Sequence, residues 1–257
     1  MKTVILAGGL GTRMREETEF KPKPMVNIGP YPIIWHIMKI YSSFNYNDFI
    51  VCAGYKGEQI KEYFSKFDIL NSDFTVKIGQ SKSIKTYDES TSVEWNVTVA
   101  NTGNSAKTGG RLLQIKKYLL NETFMCTYGD GLSNINIKAL VDFHNSHGKI
   151  ATVTCIHPNS RFGKLKIGEN GLVSNFEEKP SSLDWVNGGF FIFNSEIFNY
   201  LDGDVSLEED TLFKLVKDSQ LMAFRHDGFW QSMDTYREVL QLNEIWESGS
   251  VPWKIWK

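Results

Sequence analysis

Four separated groups of residues in this 257-residue chain could do chemistry together. The first is Gly8-Gly9-Leu10-Gly11-Thr12-Arg13, which follows the apolar run Thr3-Val4-Ile5-Leu6-Ala7 and precedes Lys21-Pro22-Lys23-Pro24-Met25. The others centre on Asp130, Lys179 and Asp234. Glycines let backbone N–H groups turn toward an anion, and Arg13 and Lys23 add full positive charges. Carboxylates are hard oxygen ligands, and Mg²⁺ is commonly held by one or two of them while substrate phosphates fill other positions. The combination suits metal-assisted phosphoryl or nucleotidyl transfer. Each aspartate alone reads more simply as a turn or helix-cap residue. Only the joint placement with the glycine loop raises the functional reading.

The loop matches neither common phosphate motif. A dinucleotide fingerprint needs a third glycine where Met14 stands, and a P-loop needs Gly-Lys-Ser/Thr where Gly11-Thr12-Arg13 stands. A tight turn leaving a strand would explain the glycines alone. The Lys-Pro-Lys-Pro run argues against that bland reading, because prolines on both sides of Lys23 hold the chain extended and aim its side chain.

These residues need a scaffold. Apolar spacing predicts helices from Ile33 to Phe44 and from Ile60 to Phe67, with a buried strand at Phe49–Ala53 between them. That rhythm of strand, loop, helix and strand is one of a parallel sheet with helices on its faces. Residues 70–107 interrupt it with a polar stretch holding two alternating runs, read as a β insert. Thr108-Gly109-Gly110-Arg111 opens a further helix. Strands follow at Phe124–Thr127, Ala151–Ile156, Val186–Phe193 and Leu221–Phe224, a hairpin turns at Glu169-Asn170-Gly171, and a helix spans Tyr236–Trp246. Asp130 lies just past a strand, where ligands sit in open α/β sheets. His144 and His147 could share a metal, although the helix dipole alone favours histidine at a helix C-terminus. The expected fold class is α/β: a Rossmann-like, mainly parallel sheet flanked by helices, in a single domain of residues 1–257 with a C-terminal appendage of about 236–257.

Composition narrows the function classes. The net charge of −2, with basic residues scattered rather than striped, excludes a groove that tracks a nucleic-acid backbone. The three cysteines, Cys52, Cys126 and Cys155, sit singly in apolar runs, as reduced buried thiols do. No run has the length of a membrane span, and the N-terminus lacks export-signal organisation. The expectation is a cytoplasmic protein without membrane or nucleic-acid partners.

The glycine loop and Lys21-Pro22-Lys23-Pro24-Met25 resemble the signature of the sugar-1-phosphate nucleotidyltransferases. Tyr128-Gly129-Asp130-Gly131, Glu178-Lys179-Pro180, Asn187-Gly188-Gly189-Phe190 and Met233-Asp234-Thr235 resemble that family's later motifs, in the same order. The stretches Trp35-His36-Ile37-Met38-Lys39, Gly54-Tyr55-Lys56-Gly57, Trp95-Asn96-Val97-Thr98, Thr108-Gly109-Gly110-Arg111-Leu112 and Pro252-Trp253-Lys254 resemble the branch of that family that joins CTP to glucose 1-phosphate.

The resemblance implies formation of CDP-glucose and pyrophosphate, with Mg²⁺ as cofactor, in nucleotide-sugar and O-antigen biosynthesis. It implies that Leu6, Ala7, Gly8, Gly9, Leu10, Gly11, Thr12, Arg13, Lys23, Thr108, Gly109, Arg111 and Gly129 bind the nucleotide, with Arg13 and Lys23 catalytic. Tyr128, Glu178, Lys179, Asn187 and Gly188 would bind the sugar phosphate, and Asp130 and Asp234 the metal. A homo-oligomer, a hexamer, is also implied, and the Trp-rich tail could bury at its interface or on its own core. The alternative keeps the reaction and changes the substrate to UTP, dTTP or another sugar 1-phosphate. One departure stands out: the family is often rich in basic residues and histidines near 80–90, whereas here Gln80–Glu89 reads Gln-Ser-Lys-Ser-Ile-Lys-Thr-Tyr-Asp-Glu, with two lysines and no histidine.

Overall fold

The computed structural model describes residues 1–79, 83–87, 93–119, 121–158, 164–167, 172–177 and 184–256. Seven of the described strands form the main sheet: β1 (Thr3–Ala7), β2 (Asp48–Ala53), β3 (Asn96–Asn101), β4 (Phe124–Tyr128), β5 (Ala151–Ile156), β6 (Val186–Phe193) and β7 (Leu221–His226). Their order across the sheet is β7-β5-β6-β4-β1-β2-β3. All neighbours run parallel except β6, which is antiparallel to both β4 and β5.

β1 is buried along its whole length, and period-two alternation splits its side chains between two cores. Ile5 and Ala7 join Phe49, Val51 and Met125 on one face. There they pack against α1 (Ile33–Ser42), α2 (Gly57–Ser65), α4 (Ile137–His147) and α5 (Tyr236–Glu247). Val4 and Leu6 join Ile50, Cys52 and Phe124 on the other, under α3 (Thr108–Ile115) and Leu212–Lys217. The chain lays β2 and β3 on one side of β1 and then crosses to place β4 on the other. That reversal opens a crevice at the carboxyl ends of β1 and β4.

The stretch 70–107 divides. Phe74–Lys77 pairs with Ser83–Thr86 as a small hairpin, whereas Asn96–Asn101 joins the main sheet as its edge strand β3. The alternating pattern of an edge strand and that of a hairpin strand are the same, so periodicity could not separate them. Lys23 is not in extended chain: Pro22 is extended, and Lys23–Met25 form one 3₁₀ turn closed by bonds from Met25 N to Pro22 O (2.8 Å) and Val26 N to Lys23 O (3.1 Å). The hairpin strands pair as Lys164–Ile167 with Val173–Glu177; their connecting turn, Glu169-Asn170-Gly171, lies outside the described residues. Cys52, Cys126 and Cys155 are free, buried thiols, and burial pushes Cys52 up to about 12.

The C-terminal tail packs on its own chain. Trp253 is fully buried and stacks on Phe229, with centroids 5.5 Å apart. It also meets His36 of α1, around which Trp35, Trp246 and Trp256 gather within 6.2 Å. His36 Nε2–H donates to Ile28 O (2.9 Å), and Nδ1 accepts from the Trp253 indole (3.4 Å). These partners require the neutral Nε2–H tautomer, and burial pushes the His36 pKa down to about 4. Among the described residues no helix is long and apolar enough to cross a membrane.

Candidate active site

The crevice between β1 and β4 holds a cavity of about 340 Å³. β1 ends at Ala7, and Gly129 N, just past β4, donates to Leu6 O (3.1 Å), so the two loops leave the sheet side by side. A Cβ on Gly129 would lie 3.0 Å from Pro24. This close packing seats the Lys-Pro-Lys-Pro turn against the exit of β4. Beyond Gly129, the short strand Gly131–Ser133 pairs antiparallel with Trp230–Ser232. Met233 N then donates to Asp130 O (2.9 Å), which brings Asp234 opposite Asp130 across more than a hundred residues of sequence. Asp234 is pinned from behind by the N-terminal capping box of α5: Glu238 Oε2 accepts from Asp234 N (2.6 Å) and Thr235 N (2.9 Å).

Lys23 bridges the two aspartates. Its Nζ lies 2.5 Å from Asp130 Oδ2 and 2.7 Å from Asp234 Oδ1, and Arg13 donates to the same Asp234 oxygen at 3.0 Å. Burial works against the Lys23 charge, but Asp130 and then Asp234 outweigh it, and its pKa stands above the ordinary lysine value. For Asp234 burial would favour the neutral acid; Lys23 and then Arg13 overcome this and hold its pKa below the usual carboxylate value. The Arg13 side chain is 70% exposed and has reach to spare for a phosphate.

Both carboxylate oxygens lie within hydrogen-bond distance of one nitrogen. These are the two carboxylates that would hold a divalent cation here. No group of three or more His, Cys, Asp or Glu converges among the described residues. A two-carboxylate site of this kind leaves coordination positions for phosphate oxygens and water, as Mg²⁺ prefers. His144 and His147 do not offer an alternative metal site. His147 Nε2 and His144 Nδ1 share the Thr152 hydroxyl, each at 2.8 Å; the other nitrogens bond Lys149 N and Asn194 Oδ1.

The glycines have distinct jobs. A Cβ on Gly8 would lie 2.0 Å from the Arg111 guanidinium, and one on Gly54 would lie 2.6 Å from it. Arg111 is buried, with donors engaged by Thr102 Oγ1 (2.8 Å), Gly103 O (2.8 Å) and Gly8 O (2.9 Å). It ties the loop after β1 to the loop after β3 at the back of the cavity. Gly11 takes the left-handed conformation (φ 63°) over Thr18, and Met14 anchors the following turn in the core. A Cβ on Gly9 would meet nothing within 4 Å, and Gly9 lines the cavity, so the space beside its backbone is open there.

Of the residues expected from sequence, Leu6, Ala7, Gly8, Gly9, Gly11, Thr12, Arg13, Lys23, Thr108, Arg111, Tyr128, Gly129, Asp130 and Asp234 line this one cavity. Leu10 points outward and is 53% exposed. Gly109 packs against Val205 behind the cavity, and Asn187 reaches the wall through a bond to Tyr128 OH (3.2 Å). Gly188 accepts from the Trp230 indole (2.7 Å). Glu178 and Lys179 lie outside the described residues. Pro24, Ala106 and Lys107 also line the cavity, and Glu208 backs its wall. Pro24 belongs to the Lys-Pro-Lys-Pro run already singled out, but sequence reasoning passed over Ala106, Lys107 and Glu208; the only signal for Glu208 was one acidic residue in a run of three, Glu208-Glu209-Asp210.

Comparison with known proteins agrees with this geometry. The model of the nucleotidyl transferase family matches residues 2–247. The chain is 48% identical, over 100% of both lengths, to the glucose-1-phosphate cytidylyltransferase of Salmonella typhi, and equally so to that of Salmonella typhimurium. Among solved structures, HddC from Yersinia pseudotuberculosis superposes with a TM-score of 0.69 at 22% identity, covering 95% of this chain and 99% of that one; this likeness speaks for the fold. The sheet, the glycine loop with its paired carboxylates, and the full-length identity together place this chain in the nucleotidyl transferase family, alongside the glucose-1-phosphate cytidylyltransferases.

Proposed function

We propose that the protein joins CTP to α-D-glucose 1-phosphate, giving CDP-glucose and pyrophosphate, with Mg²⁺ as the cation. The observation that carries the reading is the convergence of the glycine loop, Arg13, Lys23, Asp130 and Asp234 on a single cavity. A phosphate oxygen of the sugar phosphate attacks the α-phosphorus of CTP; the α–β bridging bond breaks and its electrons leave on pyrophosphate. The attacking group is already ionised near neutral pH, so the site needs no general base. What it needs is charge neutralisation and alignment.

The open backbone at Gly9 and the exposed Arg13 guanidinium suit the triphosphate. Lys23 supplies a charge held on at all physiological pH values at the point where nucleotide and metal meet. Asp130 and Asp234 are the residues that would hold Mg²⁺, which when bound polarises the phosphate oxygens and offsets their repulsion. Thr108 and Arg111 sit on the nucleotide side. Tyr128, with Asn187 behind it, faces the sugar phosphate, to which Glu178 and Lys179 are assigned by resemblance. A homohexamer in the cytoplasm is the matching assembly and location.

Incubating the protein with Mg²⁺, glucose 1-phosphate and each nucleoside triphosphate in turn tests the reading. Pyrophosphate release should be fastest with CTP, with CDP-glucose as co-product. Absence of release with CTP, or faster release with UTP or dTTP, would overturn the substrate assignment.

A further inference from the structure

Glu208 is the second residue of a 5-residue π-helical turn, Leu207–Thr211, outside every motif used above, yet its carboxylate joins both halves of the site wall. Oε2 accepts from Thr108 Oγ1 (2.6 Å) at the start of α3 and from Ser206 Oγ (2.9 Å); Oε1 accepts from Tyr128 OH (2.6 Å) at the end of β4. Thr108 Oγ1 is itself held by Leu207 N (2.8 Å), and Tyr128 OH accepts from Asn187 Nδ2. Three hydroxyl donors thus converge on one carboxylate, in short charge-assisted bonds. The consequence is directional. Tyr128 gives its only hydroxyl hydrogen to Glu208, so its oxygen faces Asn187 and the cavity purely as an acceptor.

We infer that Glu208 is a positioning residue for the sugar-phosphate subsite, setting the rotor of the Tyr128 hydroxyl so that this oxygen accepts hydrogen bonds from Asn187 and from a substrate hydroxyl. The inference rests on the nucleotidyl-transfer reading above and adds to it a residue that acts through Tyr128 rather than on substrate. It predicts an asymmetric outcome for Glu208→Gln. An amide can keep two of the three bonds only by turning its oxygen to Thr108 and Ser206. Its NH₂ then faces Tyr128, whose hydroxyl hydrogen is expelled toward the cavity. The nucleotide side keeps its partner, and the sugar side has its donor–acceptor sense reversed.

The test is steady-state kinetics on the wild type, Glu208→Gln, Tyr128→Phe and the double variant. The KM for each substrate and kcat are measured separately, with thermal melts as a check on folding. Glu208→Gln should raise the KM for glucose 1-phosphate about tenfold while the KM for CTP stays within about twofold. In the Tyr128→Phe background the same substitution should add nothing, because the group it acts through is gone. Multiplicative losses in the double variant, equal rises in both KM values, or an unchanged sugar-phosphate KM would overturn the inference. Failure of the substrate reading would show instead in the wild type, as turnover with another nucleotide or sugar 1-phosphate. The KM comparison is then made on that substrate pair and decides the role of Glu208 by the same outcomes. Should Glu208→Gln melt far below the wild type, Glu208→Asp supplies the second probe: it keeps the charge but withdraws the carboxylate from Tyr128 OH, so the sugar-phosphate KM should rise in the wild-type background and not in Tyr128→Phe, and a rise in both would overturn the inference.

Discussion

Lys23, largely buried, and His36, fully buried, are two basic side chains with opposite fates, and the contrast shows how this fold decides where charge is kept. Each is taken out of water, and for each burial alone favours the neutral form. At the carboxyl end of the sheet Lys23 finds two aspartates within 2.7 Å, and its charge is reinforced. At the aromatic pole His36 finds a carbonyl and indoles, none of them able to pay for a charge, and it stays neutral. The first region is therefore built to hold ions, and the second to exclude them. The same sheet carries both.

The largest effect should come from breaking the ionic region. Lys23→Ala removes the cation between Asp130 and Asp234 and should lower kcat/KM for CTP and glucose 1-phosphate by about a thousandfold, the scale of losing a transition-state charge contact. A loss below about tenfold would reduce Lys23 to a structural pairing residue. Next comes the aromatic region. Trp253→Ala empties a fully buried site between Phe229 and His36 and should destabilise the fold by about 3–5 kcal/mol, measured by urea unfolding.

The two regions also respond to different ranges of pH. The folded pKa of His36, about 4, lies below its value of 6.5 in the unfolded chain. Its stabilising contribution is therefore complete above pH 6.5 and drains as the pH falls toward 4, by about 3 kcal/mol. Asp234 has a folded pKa below 3.8, so its contribution persists through that window and is lost only at lower pH. Lys23, raised above 10.5, loses its own only at higher pH. Unfolding followed from pH 7 to 4 should show the decline, and His36→Gln should flatten most of it. The remainder belongs to His144 and His147, both also held below 6.5 by burial. A slope unchanged in His36→Gln would remove His36 from the account.

The smallest effect belongs to the support behind Asp234, the carboxylate proposed to hold the cation. Thr235→Ala removes the capping-box hydroxyl of α5 and should cost about 1 kcal/mol. It should also raise the Mg²⁺ concentration needed for half-maximal activity, because Asp234 N and Thr235 N share the Glu238 carboxylate. An unchanged Mg²⁺ requirement would show that the cap does not tune the site.

Much of the molecule was legible in the chain. The strands Ala151–Ile156 and Val186–Phe193 agree to the residue with the apolar runs, because strands buried on both faces are marked by composition itself. The glycine loop, Lys23, Asp130 and Asp234 could be singled out because their residue types are costly or conformationally special wherever they occur. Residues 93–101 were harder. A polar alternating run is written the same way whether it pairs with a neighbour hairpin or with a central strand, and only the position of Phe49 and Val51 opposite Val97 and Val99 decides.

The sequence by itself determined the inventory: an α/β alternation, a phosphate-type loop, two cations and two carboxylates distant along the chain, and an aromatic tail. Those follow from local preferences and residue chemistry, which need no partner to be read. Tertiary structure alone decided the partnerships. It set Lys23 between Asp130 and Asp234, gave the Gly8 space to Arg111, folded the tryptophans around His36 and placed Glu208 between Thr108 and Tyr128. The physical reason is that a charge or a hydrogen bond takes its value from what stands within a few ångströms. Contacts across a hundred or more residues are set by the crossover of β4 to the far side of β1, which no local pattern encodes.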